Sequence, residues 1–191
     1  MTTHISDSAT KLYTLSLNRL GLWLFLISDA SFFVALLTSR FFVYGTQTPS
    51  EINQYLGLGL TVILLISSLT AYRAELGAES NNRSMMNRNL LLTIFIGLLF
   101  IIGVGIEWSI ALGHKVTWPS QPYGTILFTL TGVHVTHVIS GVIVLIIVYF
   151  RKRNSEIGEN NSWAVEGAVK WWHLVDLAWV FIYPTLYLLN G

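Results

Sequence analysis

Residues 90–112 read LLLTIFIGLLFIIGVGIEWSIAL, and Glu107 is the one ionisable side chain among them. An α-helix rises ~1.5 Å per residue, so a run of this length is enough to cross the ~30 Å hydrocarbon core of a bilayer. The stretch offers almost nothing that water could solvate. It therefore predicts a membrane-spanning helix, and this prediction decides the class of the fold.

Four further stretches are as long and as apolar, namely 20–44, 54–72, 123–150 and 169–189. Of the 191 residues 53% are hydrophobic and 11% are charged, whereas soluble domains carry about 25% charged residues. The polar segments between the stretches are too short to bury a core of their own. We expect an all-α integral membrane bundle of five transmembrane helices, with residues 1–19 as a polar cytoplasmic segment and 20–191 as a single membrane domain.

The distribution of cations predicts the orientation of these helices. Short loops make successive helices antiparallel, and cytoplasmic loops carry the excess of Lys and Arg. Nine of the 11 cations fall on one side and two, Arg40 and Lys115, on the other. The nine are Lys11, Arg19, Arg73, Arg83, Arg88, Arg151, Lys152, Arg153 and Lys170. We therefore expect a cytoplasmic N-terminus and an outer C-terminus, with Trp171 and Trp172 at the inner boundary of the membrane.

Several classes of function are excluded or disfavoured by composition. The chain has no cysteine, which excludes disulfides, thiolate metal sites, iron-sulfur clusters and thiol nucleophiles. The net charge of +1 points to no particular partner, and nothing indicates nucleic-acid binding. The five stretches show no internal repeat, which disfavours a transporter built from inverted halves. The first stretch is too long for a signal-peptide core and is interpreted as a retained helix.

Ionisable side chains within the apolar stretches are the candidate functional residues. Each costs ~2.5–3.5 kcal/mol on insertion scales, so such groups normally face protein or water. The set comprises Asp29, Glu107, His134, His137, His173 and Asp176. We expect these residues to form a polar intramembrane network or to line a lipid cleft, with none of them catalytic.

Helical spacing places these residues on particular faces. On the fourth helix His134, His137 and Gly141 share one polar face, and a second face of small residues permits close helix contact. That second face consists of Gly132, Thr136 and Ser140. On the fifth helix one stripe predicted to face protein contains His173, Asp176, Val180, Tyr183 and Tyr187.

Two histidines three residues apart also suggest a metal or haem site. However, at the helical rise His137 lies ~20 Å from the inner end of its helix, whereas His173 lies ~6 Å from the predicted start of the next. A metal on His134 and His137 would need further ligands that no cysteine supplies. The pattern favours hydrogen-bonding contacts between helices over a bound metal or haem.

Two carboxylates leave alternatives open. Asp29 lies ~15 Å deep, close to the level of His137, so the two side chains could be hydrogen-bonded. Asp29 is interpreted as a protonated buried acid rather than a proton carrier, because the sequence shows no connected chain of titratable groups. Glu107 falls near the outer end of its helix, where it could reach water as an interface carboxylate.

Two segments resemble a known family. Residues 123–141 read YGTILFTLTGVHVTHVISG and residues 171–179 read WWHLVDLAW; both are similar to signature segments of cytochrome c oxidase subunit III. WLFLISD at 23–29, with Phe32 and Phe33, and the Gly-x-x-x-Glu spacing ending at Glu107 extend the resemblance to nearly the whole chain, in the five-helix form of the family. One departure is Asp29, where the family usually has glutamate.

The resemblance implies an accessory subunit of a bacterial haem-copper terminal oxidase in the plasma membrane, active in aerobic electron transport. Such a subunit packs on subunit I, in a complex that also holds subunit II, and it binds phospholipid. It supports proton uptake and stable turnover. Haem and copper would belong to the partner subunits, and this chain would bind no cofactor. The alternatives are a subunit of a quinol oxidase or nitric oxide reductase, a cytochrome b-type carrier, or a proton channel.

Overall fold

The computed structural model describes residues 2–45, 54–113, 116, 122–153 and 162–188, without the side chains of 2–12 and 44. Throughout that part the regular structure is helical and no strand occurs. The helices are α1 (Thr2–Tyr44), α2 (Gln54–Glu79), α3 (Arg83–Gly113), α4 (Pro122–Lys152) and α5 (Trp163–Tyr183), and a π-helical turn, Pro184–Leu188, follows α5. The all-α prediction is confirmed.

Four of the five described helices are long and apolar enough to cross a membrane: Tyr13–Val43 within α1, and α2, α3 and α4. The helix α5 falls short on this test because Glu166, Lys170 and Asp176 lie within its 21 residues. The helix α1 begins well before the predicted position 20, because no proline or glycine interrupts residues 2–19. Lys115, one of the two outer cations, lies outside the described residues.

Local signals end the first two helices. Gly45 adopts a positive φ of 75°, and its N–H donates to the Phe41 carbonyl at 3.2 Å, as in a left-handed helix cap. After α2, Asn81 has a φ of 54°, and the Asn82 side chain accepts a hydrogen bond from the Met85 N–H at 3.0 Å. The second cap starts α3 immediately, so α2 and α3 form a tight antiparallel hairpin.

Helix contacts divide the molecule into a four-helix bundle and one peripheral helix. Helices α2, α3, α4 and α5 form a closed ring of neighbours, in which each packs against the next and α5 closes back on α2. Helix α1 packs on α4 and α5 from outside this ring. The four-helix bundle therefore holds the main core, and α5 is the helix that joins it to α1.

The centre of the bundle is built around the buried ring of Trp172. A Cβ added at Gly97 would lie 2.6 Å from this ring, and one at Gly141 would lie 2.9 Å from it, so glycines on α3 and α4 make the space that the indole fills. The indole N–H donates to Ser67 Oγ at 3.0 Å. The glycine pocket and Ser67 together hold this tryptophan against protein; its level in the membrane stays a prediction.

Candidate functional site

The hydrogen bond between Asp29 and His137 that helix depth made possible is present. His137 Nε2 lies 3.3 Å from Asp29 Oδ1, joining α1 to α4 with both side chains largely buried. The Phe33 ring packs edge-on against the His137 ring, with centroids 4.9 Å apart. The other carboxylate oxygen, Oδ2, is buried without a hydrogen-bond partner in the described structure.

The hydrogen bonds of His137 fix how many protons this pair holds. His137 Nδ1 lies 2.7 Å from the Val133 carbonyl, which can only accept, so Nδ1 carries a proton. The contact between Nε2 and Asp29 then contains one more proton, held either by the carboxyl or by the ring. In both arrangements the pair has no net charge, which suits a site within an apolar bundle.

His134 lies deeper than His137 and is fully buried. Its ring packs against Trp179, Phe100 and Phe33, with centroid distances of 5.0, 5.6 and 6.3 Å. Neither ring nitrogen has a hydrogen-bond partner among the described residues. Because an unpaired charge in such surroundings would be very costly, His134 acts as a neutral ring that fills an aromatic box.

The two faces predicted on α4 make different contacts. Gly141, on the histidine face, makes the close contact with Trp172. On the small-residue face Thr136 is exposed, and a Cβ at Gly132 would only reach ordinary contact distance, 3.7 Å, from Trp108. The tight contact described here therefore lies on the histidine face, where α4 meets the large rings of α5.

His173 and Asp176 meet α2 at Ser68. The Ser68 hydroxyl is 2.8 Å from His173 Nδ1, and it also approaches the Asp176 carboxyl. Neither Asp176 oxygen has a partner in standard hydrogen-bond geometry, although the residue is only 4% exposed. The predicted stripe on α5 is largely buried, with Val180, 38% exposed, as its exception. These two residues therefore belong to the α2–α5 contact, apart from the Asp29–His137 pair.

Glu107 is buried, 6% exposed, so the expected interface carboxylate that reaches water is wrong. Its Oε1 accepts a hydrogen bond from the Tyr187 hydroxyl, and its Oε2 has no partner in the described structure. The π-helical turn after Pro184 brings Tyr187 into the bundle, which explains the burial. Apart from Pro184 itself, no residue pattern signals this turn.

Side chains from two other helices bind the same turn. Tyr123 of α4 donates its hydroxyl proton to the Leu186 carbonyl at 2.8 Å, and Gln54 of α2 donates to the Tyr187 carbonyl at 2.8 Å. Carbonyls at a helix end need such partners where no further turn of helix follows. With Glu107 of α3, these residues form a cluster that ties the end of α5 to every other helix of the bundle. We call it the outer cluster, after the side on which the cation bias predicts it to lie.

Ion pairs join α1, α2 and α5 at the opposite end, and we call them the inner ion cluster, after the side predicted from the cation bias. Glu166 accepts from Arg19 at 3.0 Å and from Lys170, and Lys170 Nζ lies 3.8 Å from Glu75. Burial alone would raise the pKa of Glu166, but the hydrogen bonds and positive charges of Lys170 and Arg19 outweigh it and lower the pKa. Glu166 is therefore ionised at neutral pH.

An apolar groove runs along the seam between α1 and α5. Its inner half is a cavity of about 350 Å³ and its outer half one of about 230 Å³, and Ala30, Leu174 and Leu177 line both. Trp23, Lys170 and His173 surround the inner end. From 23 to 41 along α1 the groove is ~27 Å long at the helical rise. We call it the α1–α5 groove.

No three side chains of His, Cys, Asp or Glu converge on a metal-sized site within the described ranges. In the structure α5 begins at Trp163. His173 therefore lies ten residues, or ~15 Å, from the start of its helix, and not the ~6 Å expected from the sequence. Instead, Asp29, Glu107 and His173 each contact a polar side chain of another helix, whereas His134 packs among aromatic rings.

Comparison with known proteins agrees with these features. The chain matches the family described as Cytochrome c oxidase subunit III over residues 4–190. The chain belongs to this family. A Corynebacterium diphtheriae cytochrome c oxidase subunit 3 is 30% identical over 96% of both chains, and a Mycobacterium leprae protein named "probable cytochrome c oxidase subunit 3" is 30% identical over 92% of both. An Artemia franciscana subunit 3 is 33% identical over 88% of this chain and 68% of its own.

The match confirms the resemblance predicted from the two signature segments. Subunit III proteins are parts of an oxidoreductase complex, and the long apolar helices and bacterial relatives identify this chain as a multi-pass protein of the plasma membrane. Sequence reasoning missed the residues that receive the signature side chains, namely Ser67, Ser68 and Thr61 of α2 and Gly97 of α3. Small residues are common in membrane helices, so no local signal distinguished them.

Proposed function

We propose that this chain is the non-catalytic subunit III of a haem-copper terminal oxidase that uses cytochrome c, and that it packs on subunit I. The observation that carries the proposal is how this chain uses its buried ionisable groups: Asp29, Glu107 and His173 contact polar side chains of other helices, and His134 packs among aromatic rings. A redox subunit must instead commit several such groups to one metal or haem. Haem and copper accordingly reside in subunits I and II.

The proposed topology has five spans, with the N-terminus inside and the C-terminus outside. Although α5 is the least apolar helix, its charged Glu166 and Lys170 lie at one end and Asp176 is buried against α2. With the π-helical turn it covers residues 163–188, ~39 Å at the helical rise, which is enough to span. The cation bias of the loops supports the orientation.

Isolation of the tagged chain from its native membrane in mild detergent tests the proposal. We expect a haem-copper subunit I to co-purify in a fixed ratio, and the chain released from that complex to show no Soret band. Recovery of the chain alone would overturn the assignment. A Soret band in the released chain would indicate a cytochrome b-type carrier, and a co-purifying quinol-oxidising or nitric oxide-reducing core would change the complex to which it belongs.

The α1–α5 groove is the proposed site of a structural phospholipid. Its lining is almost entirely apolar, its length of ~27 Å approaches the thickness of the hydrocarbon core, and the ammonium of Lys170 stands at the inner end, at the level expected for a phosphate group. An acyl chain in this groove would cover apolar surface that α1 leaves open beside α5.

Filling the groove should displace the lipid. Ala30 lines both halves of it, so the change Ala30→Phe would place a ring where an acyl chain lies. We expect fewer phospholipids to be retained per complex by native mass spectrometry. Ala35, an exposed alanine of the same helix that lies outside the groove, provides the matched control Ala35→Phe. Equal retention in the two variants would show that the groove holds no lipid.

The Asp29–His137 pair should matter for lasting turnover more than for the initial rate. Asp29→Ala leaves Nε2 of His137 unpaired, which costs about 1–3 kcal/mol of stability, whereas the amide of Asp29→Asn can donate to the same nitrogen. We expect Asp29→Ala to shorten the time for which the oxidase turns over before inactivation, with Asp29→Asn close to the parent. Oxygen consumption over repeated turnovers measures this. Immediate and complete loss of oxygen reduction in an assembled Asp29→Asn complex would mean that the proton of Asp29 serves the reaction itself.

A further inference from the structure

The inner ion cluster lies directly inward of the α1–α5 groove. Arg19 precedes Trp23 by four residues, and Glu166 precedes Lys170 by four, so each lies one helical turn before a residue of the groove wall. Helices α1 and α5 run in the same direction here, since Arg19 meets Glu166 at the inner end and Phe25 stacks on Trp171 one to two turns later, with ring centroids 5.2 Å apart. The cluster therefore joins the two walls at the end of the groove.

Glu166 is the residue that connects the cations of the two helices. Its side chain is 12% exposed, and one oxygen is bonded to Lys170 of its own helix while the other accepts from Arg19. Lys170 is also within 3.8 Å of Glu75 on α2, which fixes the lysine from the bundle side. Glu166 is thus held in place by the bundle, ready to bind a cation on α1.

Arg19 is the exposed partner of this contact. Its side chain is 59% exposed, and α1 as a whole lies outside the closed ring of the other four helices. An ion pair with one partner in water contributes little to stability and is screened by salt. The contact between α1 and α5 at this end can consequently open and re-form without disturbing the bundle.

We propose that Arg19, Glu166 and Lys170 form an ionic lock that closes the inner end of the α1–α5 groove and slows the exchange of the phospholipid bound there. The lock holds the two walls together, and its opening lets α1 move away from α5 so that the lipid can leave. The inference rests on the proposed lipid site. It adds that the residence time of the lipid, not only its binding, is set by charged residues of this chain.

The test uses the intact complex after purification with its native lipid. Its transfer into micelles that contain deuterated phosphatidylethanolamine and phosphatidylglycerol starts the exchange, and native mass spectrometry follows the replacement. We expect Glu166→Gln and Arg19→Gln to speed exchange by ~1.5- to 5-fold, the range of an exposed ion pair. Arg19→Lys keeps the charge and should stay near the parent, and Arg88→Gln, which removes an exposed cation of α3, is the matched control.

Salt provides a second readout that a purely structural role would not change. Raising the ionic strength should speed exchange in the parent complex and have little effect in Glu166→Gln, because that variant has already lost the ion pair. The lock is refuted if the parent retains lipid but exchanges it at the same rate as Glu166→Gln and Arg19→Gln, or if Arg88→Gln exchanges it as fast as they do. Either result would leave the proposed lipid site in the groove unaffected. A parent that retains no lipid refutes the proposed lipid site itself. Should Glu166→Gln fail to assemble, the exposed Arg19 variants decide the question.

Discussion

Trp172→Ala should lower the free energy of unfolding by about 3–5 kcal/mol, the usual cost of removing a fully buried tryptophan. The ring is fully buried and fills the space that Gly97 and Gly141 leave at the centre of the bundle. Its removal also leaves the Ser67 hydroxyl without the indole donor. Denaturation of the purified chain in mixed micelles, followed by circular dichroism, measures the loss.

A matched control separates packing from the mere loss of a tryptophan. Trp23 is 53% exposed, so Trp23→Ala should change the free energy of unfolding by much less. The glycine pocket gives a sharper check, since Gly97→Ala should cost about 1–3 kcal/mol by overpacking and less in a Trp172→Phe background, where the second ring is gone. If the losses of unfolding free energy in Gly97→Ala and Trp172→Phe were simply additive, Gly97 would not be the residue that makes room for the indole.

The helices and their number were predictable because membrane spans carry a strong and simple signal. Length and low polarity alone locate α1 to α4, and the helical rise put Asp29 and His137 at a similar depth, which made a hydrogen bond between them possible. The start of α5 was placed too late, at residue 169 rather than at Trp163, because Glu166 and Lys170 make its first turns look like a loop. Their mutual ion pair, together with Arg19 and Glu75, is what stabilises helix at that point.

The arrangement of the helices around one another could not be read from the sequence. The apolar stretches are hydrophobic on all sides, so amphipathic periodicity does not indicate which face meets protein and which meets lipid. Gly97 and Gly141 provide the space for the Trp172 ring, but nothing in the sequence links the three residues. In the sequence the small face of Gly132 and Thr136 is equally suitable for close packing. Which of two small faces is used depends on the size of the rings on the neighbouring helix.

The sequence predicted which ionisable residues lie within the helices, but not which side chains they contact. All six ionisable residues were identified, yet Glu107 was expected near water, and its partner Tyr187 lies 80 residues away on a π-helical turn. Likewise His173 and Asp176 meet Ser68, one of many hydroxyl residues on membrane helices. Contacts between polar groups far apart in the chain depend on how each helix is rotated about its own axis, and a single sequence does not determine that rotation.

The outer cluster yields a second large effect, in the pair formed by Tyr187 and Glu107. Tyr187→Phe removes the hydroxyl that donates to Glu107 and leaves a carboxyl, 6% exposed, without any donor among the described residues. A buried polar group deprived of its partner costs about 1–3 kcal/mol, and more if it is ionised. We therefore expect Tyr187→Phe to destabilise the chain by at least this amount in a micellar unfolding titration.

A double-mutant cycle isolates the interaction from the loss of the hydroxyl itself. In Glu107→Leu the buried carboxyl is gone, so adding Tyr187→Phe should cost little, because replacing both partners by apolar groups is often nearly neutral. The coupling between the two sites should then fall within the ~0.5–3 kcal/mol measured for residues in contact. Tyr183→Phe is the matched control, since its ring stacks on Tyr187 with centroids 5.3 Å apart but its hydroxyl is not bonded to Glu107. Zero coupling, or equal losses in Tyr183→Phe and Tyr187→Phe, would mean that the π-helical turn is held by its bonds to Tyr123 and Gln54, and not by the buried carboxyl.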